Sequence, residues 1–340
     1  MINQVSLVKF KQFRSRTIPL SRKGVSLVAG ANNSGKSTIL HALAIWEFCR
    51  TIIEAEKAFD AFLPGSKAQG LGLADDEFSP ILLPSLSHLW TNLTAQKQKD
   101  DADGYTLRLK AVWQDANGEE KRLEFGLALA NDRMFVKTTD SNLIQGDHIP
   151  RVAYLPPFAG ITDKEARLPI AIRRRKIGEG MAGGVLRNVL LDLYKENEQK
   201  RKNLRKDRQK IRDSDLKSLR ESDPWEILQQ ALRTIFGVEL DIKPFRDEYH
   251  SYIKVEVIRG DLLKHKIKRF PKYKSRDLMV EGSGFLQWLS VYALATDPSI
   301  STLLLDEADA HLHSSLQSQM LKKLEEIAVR KDKQILNATH

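Results

Sequence analysis

The sequence predicts an α/β protein organised around a phosphate-binding loop, and three observations carry that prediction. Residues 30–38 read Gly-Ala-Asn-Asn-Ser-Gly-Lys-Ser-Thr and satisfy G-x-x-x-x-G-K-[ST] between a short apolar run at 25–29 and a helically periodic run at 38–48. A second apolar run, 301–305, ends in the paired acids Asp306 and Glu307. Between these, alternation at 105–113 and again at 122–129 around Asn117-Gly118 predicts an antiparallel β lobe.

In chain order, residues 4–10 alternate and 16–20 can pair with them, after which 25–29 runs into the loop. The helix that begins at Lys36 is expected to pass Ile52 and Ile53 toward Phe59, with loop from Leu63 to Gly72 and a second short helix within 80–93. Residues 134–136 add a strand, and 151–155 form a buried strand ended by Pro156-Pro157. Gly183-Gly184 precede an amphipathic helix at 185–194 that continues into a charged segment. Residues 195–221 hold eleven Lys or Arg and six Asp or Glu, with few large apolar side chains, so the segment is expected to project as an arm. Asp223-Pro224 open a further helix that Gly237 stops. Strands at 238–242 and 252–258, a basic stretch at 263–276, a helix after Gly282-Ser283-Gly284, a helix at 314–329 and a last strand at 334–340 complete the chain. This divides the molecule into a first lobe at 1–184, a helical insertion at 185–222 and a second lobe at 223–340.

Composition bounds the function. The chain has 340 residues, 41% hydrophobic content and a net charge of +10, which favours acidic partners such as nucleic acid. It has no run of the roughly 18 apolar residues that a membrane helix needs, and its first residues are no signal peptide, so a cytoplasmic site is expected. The single cysteine, Cys49, sits in an apolar helical pattern and is expected in the core, like Trp225 and Trp288.

The chemistry is concentrated in two motifs. Gly30 and Gly35 let the backbone curl so that successive N–H groups face a polyphosphate, Lys36 meets its outer phosphates and Ser37 holds magnesium. The nucleotide-facing set is Gly30, Asn32, Asn33, Ser34, Gly35, Lys36, Ser37 and Thr38, with the anion on a helix N-terminus. Asp306 is expected to hold Mg2+ through water, and Glu307 to orient or deprotonate the attacking water. Two carboxylates after three leucines would otherwise be costly to bury.

In their order these motifs, with Gly282-Ser283-Gly284 before a helix, the run Leu303-Leu304-Leu305-Asp306-Glu307-Ala308-Asp309-Ala310-His311-Leu312-His313 and the terminal Thr339-His340, resemble ABC-type ATPase heads of the SMC, RecF and OLD branch. The resemblance implies an α/β P-loop fold with a mixed core sheet, an antiparallel β lobe and an inserted helical arm. It implies ATP and Mg2+ as cofactors and a dimer in which Ser283 and Gly284 complete the ATP site of the opposite copy. It also gives residues 308–311 a dimer-crossing role and makes His340 the switch histidine at the γ phosphate. The signature departs from Leu-Ser-Gly-Gly-Gln, reading Glu281-Gly282-Ser283-Gly284-Phe285-Leu286-Gln287, and no Q-loop glutamine is assigned. Residues 154–160 and 183–193 also resemble OLD-like ATPases of phage defence, including those of the PARIS and Septu systems. Because the sequence ends on the residue that should be catalytic, a longer natural protein is expected.

Three functions stay open: a phage-defence ATPase that controls an effector, the motor part of a DNA nuclease, and a DNA-repair or chromosome-maintenance head. DNA is an expected partner through 195–221 and 263–276, where Lys264, Lys266, Lys268, Arg269, Lys272, Lys274 and Arg276 occur without an acid and with Phe270 and Tyr273 between them. The cluster Arg173-Arg174-Arg175-Lys176 could meet phosphates or a partner's acids. His311 and His313 are expected as interface polar residues in preference to a zinc site.

Overall fold

Three sheets divide the strands by hydrophobic pattern. The computed structural model describes residues 1–21, 23–31, 34–66, 69–97, 103–157, 161–205, 208, 210–308, 310 and 312–339. The alternating segments form one antiparallel sheet: β1 (Ile2–Phe10), β2 (Phe13–Pro19), β4 (Leu71–Leu73), β5 (Leu107–Gln114), β6 (Glu120–Ala130) and β7 (Arg133–Ser141), in the order β2-β1-β5-β6-β7-β4. A parallel sheet is formed by β3 (Gly24–Ala29), β8 (Val152–Leu155), β13 (Thr302–Asp306) and β14 (Gln334–Thr339), ordered β3-β14-β13-β8. That division follows burial for β8, β13 and β14, which are covered on both faces, whereas the edge strand β3 leaves Leu27 exposed. The expected mixed core sheet is therefore parallel throughout its described strands, and the antiparallel pairings lie in separate sheets. The third sheet sets β9 (Val238–Ile242), β11 (Lys266–Arg269) and β12 (Arg276–Asp277) against β10 (Val255–Leu263).

The parallel sheet separates two cores. Leu304, Leu336, Ala338, Val152 and Tyr154 face α1 (Lys36–Lys57) and the antiparallel sheet, whereas Leu303, Leu305, Ile335, Ala153 and Leu155 face the remaining helices. Helix α1 lies between the two sheets, which is why it is buried from Leu40 through Ile53 apart from the half-buried His41, with Glu47, Arg50 and Thr51 as the polar residues enclosed among them. Trp46 Nε1 donates to Leu123 O at 2.9 Å and ties the helix to β6. Cys49 is buried there, and burial pushes its thiol above the ordinary range.

On the other face lie α2 (Ile170–Gly178), α3 (Leu186–Arg205), α4 (Asp213–Ser222), α5 (Pro224–Phe236), α6 (Ser283–Thr296) and α7 (Ser314–Arg330), with Trp288 and Trp225 in this core. Asp223 caps α5, accepting from Trp225 N at 3.0 Å ahead of Pro224 at the first helical position, and Gly237 ends it at φ 62°.

Four expectations change. The Gly-rich stretch after Leu63 contributes β4, which pairs with β7, and residues 80–93 contain only 3-10 turns at Leu86–Leu89 and Thr91–Leu93. The basic stretch is a β-hairpin, because β11 pairs with the end of β10 around Lys264 at φ 57°. The charged segment does not stand clear of the body. Asn197, 1% exposed, donates to Asp223 at 2.9 Å, Lys200 pairs with Asp223 at 2.9 Å, and Leu219 of α4 is buried against α5. Asp223 and Glu226 at the start of α5 thus dock a helix that its own composition leaves solvated, Glu226 pairing with Arg201. No described helix is long and apolar enough to cross a membrane.

Candidate functional site

All four parallel strands point their carboxyl ends at one edge, and the loops that leave that edge assemble the site. Strand β3 delivers the phosphate loop, β13 delivers Asp306 and Glu307, and β14 lies between them, with Thr339 paired to Ala29 beside Gly30. A loop at the end of a buried parallel strand is the one place where polar groups meet both a helix N-terminus and the second motif.

The loop holds the expected geometry. Gly35 has φ 96°, in the left-handed region, and a Cβ there would approach Gln12 Nε2 to 2.4 Å. A Cβ on Gly30 would approach Ser34 Oγ to 2.7 Å. Lys36, 7% exposed, folds back to donate to the Gly30 carbonyl and, at 3.1 Å, to that of Ala31. Ser37 Oγ donates to Asp306 Oδ1 at 2.9 Å, and Thr38 Oγ1 donates to Gln12 Oε1 at 3.0 Å. Asn32 and Asn33 lie outside the described residues, as do Asp309, His311 and His340.

Glu307 follows β13 with φ 49°, while its N–H continues the ladder by donating to Ala338 O at 2.9 Å. A non-glycine residue in this conformation is held at a cost of about 1–3 kcal/mol, typical of functional turns. The backbone therefore turns away from the sheet at this carboxylate, which remains half-buried.

Asp306 is 3% exposed and receives more than the sequence suggested. Tyr154 OH donates to Asp306 Oδ2 at 3.1 Å, and His41 Nε2 lies 3.1 Å from Tyr154 OH and 3.6 Å from Asp306 Oδ2. Lys11 Nζ is 2.6 Å from His41 Nδ1. An ammonium has only donors, so Nδ1 accepts and the neutral imidazole carries its proton on Nε2. Burial would raise the Asp306 carboxyl, but the nearby His41 and the hydrogen bonds from Ser37 and Tyr154 outweigh it and hold the group below the ordinary carboxylate range. Burial lowers Lys11 to about 8 against the pull of Asp306, lowers His41, and raises Tyr154.

No sequence motif marks Lys11, Gln12, His41 or Tyr154 as part of this site. His41 carried a usable signal, since it follows Ser37 by four residues in a helix and so shares its face. Tyr154 carried a weaker one, a phenol inside an apolar strand whose hydroxyl needs a partner.

The structure brings together Lys36, Ser37, Thr38 and Asp306. Ser283, which is exposed, and the half-buried Gly284 open α6, whose Phe285 and Trp288 pack in the core on the other face of the parallel sheet. Arg259 pairs with Glu281 just ahead of them. His313 Nδ1 accepts from Ser315 N at the start of α7. In the arginine cluster of α2, Arg173 pairs with Asp192 and Arg175 Nε donates to Glu179 at 2.7 Å, while Arg174 is exposed.

The oxygen donors suit a small hard cation. A hydroxyl and a carboxylate held 2.9 Å apart beside a phosphate loop match the one or two protein ligands that Mg2+ takes, the rest of its shell being water and phosphate.

Comparison with known proteins agrees on architecture. Residues 2–46 match the family described as the P-loop containing region of AAA domain. No curated protein matches. Among solved structures, the Smc head domain with an extended coiled coil from Pyrococcus furiosus, bound to the C-terminal domain of ScpA, is similar at TM-score 0.51 and 14% identity over 99% of this chain and 89% of that one. An SmcHead bound to the C-winged helix domain of ScpA gives TM-score 0.49 and 12% identity over 99% and 89%. RecF bound to ATP gives TM-score 0.42 and 15% identity over 99% and 91%. With its parallel sheet, antiparallel sheet and phosphate loop, the chain has the P-loop ATPase fold of the SMC-head type.

Proposed function

We propose that this chain is an ATPase that binds ATP with Mg2+ and pairs with a second copy around the nucleotide. The observation that carries the reading is the 2.9 Å contact between Ser37 and Asp306, which joins the phosphate loop to the acid of the second motif. In this reading Lys36 leaves the Gly30 and Ala31 carbonyls for the β and γ phosphates, and the loop N–H groups, including those of Ser34 and Gly35, surround them. Mg2+, held by Ser37 and through water by Asp306, would neutralise charge on the phosphates. Glu307 orients or deprotonates the attacking water from the end of β13. Ser283 and Gly284, at the start of α6, serve the partner copy's nucleotide, and His340 contacts its own γ phosphate. Domain roles follow: 1–184 and 223–340 enclose the nucleotide, and 185–222 transmits its state.

The finer reading is regulatory. We assign the head to a bacterial anti-phage system in which ATP-driven pairing holds or releases an effector, on the resemblance of residues 154–160 and 183–193 to OLD-like defence ATPases. The alternatives are the ATPase part of an OLD-type nuclease and a RecF- or SMC-like DNA-binding head, the second favoured by the exposed cations of the β10–β11 hairpin. Protection of cells against phage by the chain with its neighbouring gene, lost in Lys36→Ala, supports the first; undiminished protection counts against it.

The ATPase reading is tested with Glu307→Gln. The variant should bind ATP, lose at least about 100-fold in turnover and accumulate as an ATP-dependent dimer in light-scattering measurements. Wild-type rates of hydrolysis in that variant would remove Glu307 from its role.

A further inference from the structure

Behind the residues that face the nucleotide, a chain of polar contacts runs inward from the β1–β2 turn to Asp306. Lys11 Nζ donates to His41 Nδ1 at 2.6 Å, His41 Nε2–H donates to Tyr154 O at 3.1 Å, and Tyr154 O–H donates to Asp306 Oδ2 at 3.1 Å. Each member sits on a different element: the turn, α1, β8 and β13. The imidazole and phenol meet edge-on, with centroids 5.7 Å apart and planes at 84°.

We infer that Lys11, His41 and Tyr154 form a positioning relay that fixes Asp306 Oδ2 and thereby sets how readily the site takes up Mg2+. The inference rests on the reading of Ser37 and Asp306 as the metal-holding pair. The direction of every bond follows from chemistry. The ammonium can only donate, so Nδ1 must accept, Nε2 must carry hydrogen, and the phenol accepts from the ring and has its own proton left for the carboxylate. Turning the ring over breaks the bonds to Lys11 and Tyr154, and rotating the carboxylate breaks the bond from Tyr154 along with that from Ser37.

The consequence lies at Asp306. Ser37 holds Oδ1 and leaves Oδ2 free to swing, whereas Tyr154 closes that freedom and presents the carboxylate in one orientation. Hydrogen bonds behind a metal ligand orient it and typically govern affinity or activity by about 10–100-fold. The β1–β2 turn grips the same helix a second time through Gln12 and Thr38, so α1, the phosphate loop and Asp306 share one anchor. Lys11 itself takes φ 49°, which aims this turn at the helix.

A merely structural role for the same contacts would show as lost stability and weaker nucleotide binding under all conditions. The positioning role predicts a defect that appears only with the metal. The test uses the full chain and a fluorescent ATP analogue, titrated with Mg2+ and, separately, in EDTA. In Tyr154→Phe the Mg2+ concentration for half-maximal binding and hydrolysis should rise about tenfold. Affinity in EDTA should stay within about twofold, as for an intact phosphate cradle. His41→Leu should give the same separation, and the double variant should be no worse than the stronger single one, because contacts in series are not additive. His41→Gln, which keeps an N–H donor, should recover most of the loss. An unchanged Mg2+ requirement in folded Tyr154→Phe or His41→Leu, multiplying effects in the double variant, or an equal loss in EDTA would each overturn the relay. Wild-type binding that ignores Mg2+ altogether would instead overturn the assignment of Ser37 and Asp306, and the relay with it.

Discussion

The Ser37 hydroxyl donates to the Asp306 carboxylate at 2.9 Å across 269 positions of sequence. The pair marks the convergence of a helix N-terminus with the end of β13. Ser37→Ala and Asp306→Asn should each leave ATP binding in EDTA nearly intact and cut Mg2+-dependent hydrolysis by at least about 100-fold. Lys36→Ala should remove binding in both conditions, because the cation faces phosphate with or without the metal. Isothermal titration with and without EDTA separates the two classes, and identical behaviour of all three variants would count against the division of roles.

The parts of this site legible in sequence are those set by local chemistry. The phosphate loop needs glycines at fixed spacing, and the strand before Asp306 needs an apolar run, so both are written in contiguous residues. Lys11, His41 and Tyr154 are not, because their meeting depends on how a turn, a helix and a strand pack. The same distinction explains the fold. Long alternating segments such as β5 and β6 were readable, whereas β4 is three residues beside glycines and exists through its pairing with β7. Lys266–Arg269 has a cationic composition that favours solvent, yet it is a strand because β10 offers it an edge. Asn197 is buried in a charged helix only because Asp223 and Glu226 face it.

Helix α1 carries a buried charge pair. Arg50, 2% exposed, donates to both Glu47 oxygens, its Nε at 2.9 Å, and to Glu54 at 2.6 Å. Burial disfavours the guanidinium, but Glu47 and Glu54 more than offset it and raise its pKa. Glu47→Ala leaves that cation facing the core with one partly exposed partner, so it should cost about 3–5 kcal/mol. Replacing Glu47 and Arg50 together with apolar residues of similar volume should recover much of the loss. Chemical denaturation of both variants measures this, and a single variant within about 1 kcal/mol of wild type would show that Glu54 alone suffices.

Acid should weaken the third sheet through Glu256. Its carboxyl is lowered to about 2, first by the hydrogen bond from Ser275 at 2.5 Å against the opposing effect of burial, then by Lys243 at 3.0 Å and Lys254 at 3.1 Å. A depressed folded pKa gives stability that is present above the unfolded value near 4.5 and is lost as pH falls toward 2. Allowing for solvent screening of the two lysines, the contribution is on the order of 1 kcal/mol. Glu256→Gln should therefore be less stable than wild type at pH 7 and indistinguishable from it near pH 2. Melting temperatures across that window test the sign, and a difference that persists at low pH would mean that packing is the cause.

The β10–β11 hairpin presents Lys264, Lys266 and Lys268 to solvent, and the loop after β11 carries Phe270, Lys272, Tyr273 and Lys274. Cations with aromatic rings between them suit a phosphate backbone, and each phosphate contact releases counterions. If duplex DNA lies here, reversing Lys266 and Lys268 to glutamate should remove about two contacts and flatten the slope of log affinity against log salt by about two. The loss should be uniform across sequences, since these contacts read charge and not bases. Both side chains are exposed, so melting should move by no more than about 0.5 kcal/mol equivalent for each site. Fluorescence anisotropy over a salt series gives the slope directly. A slope unchanged by the double reversal would place any DNA contact away from this hairpin, with the cations of α3 and α4 next to be tested.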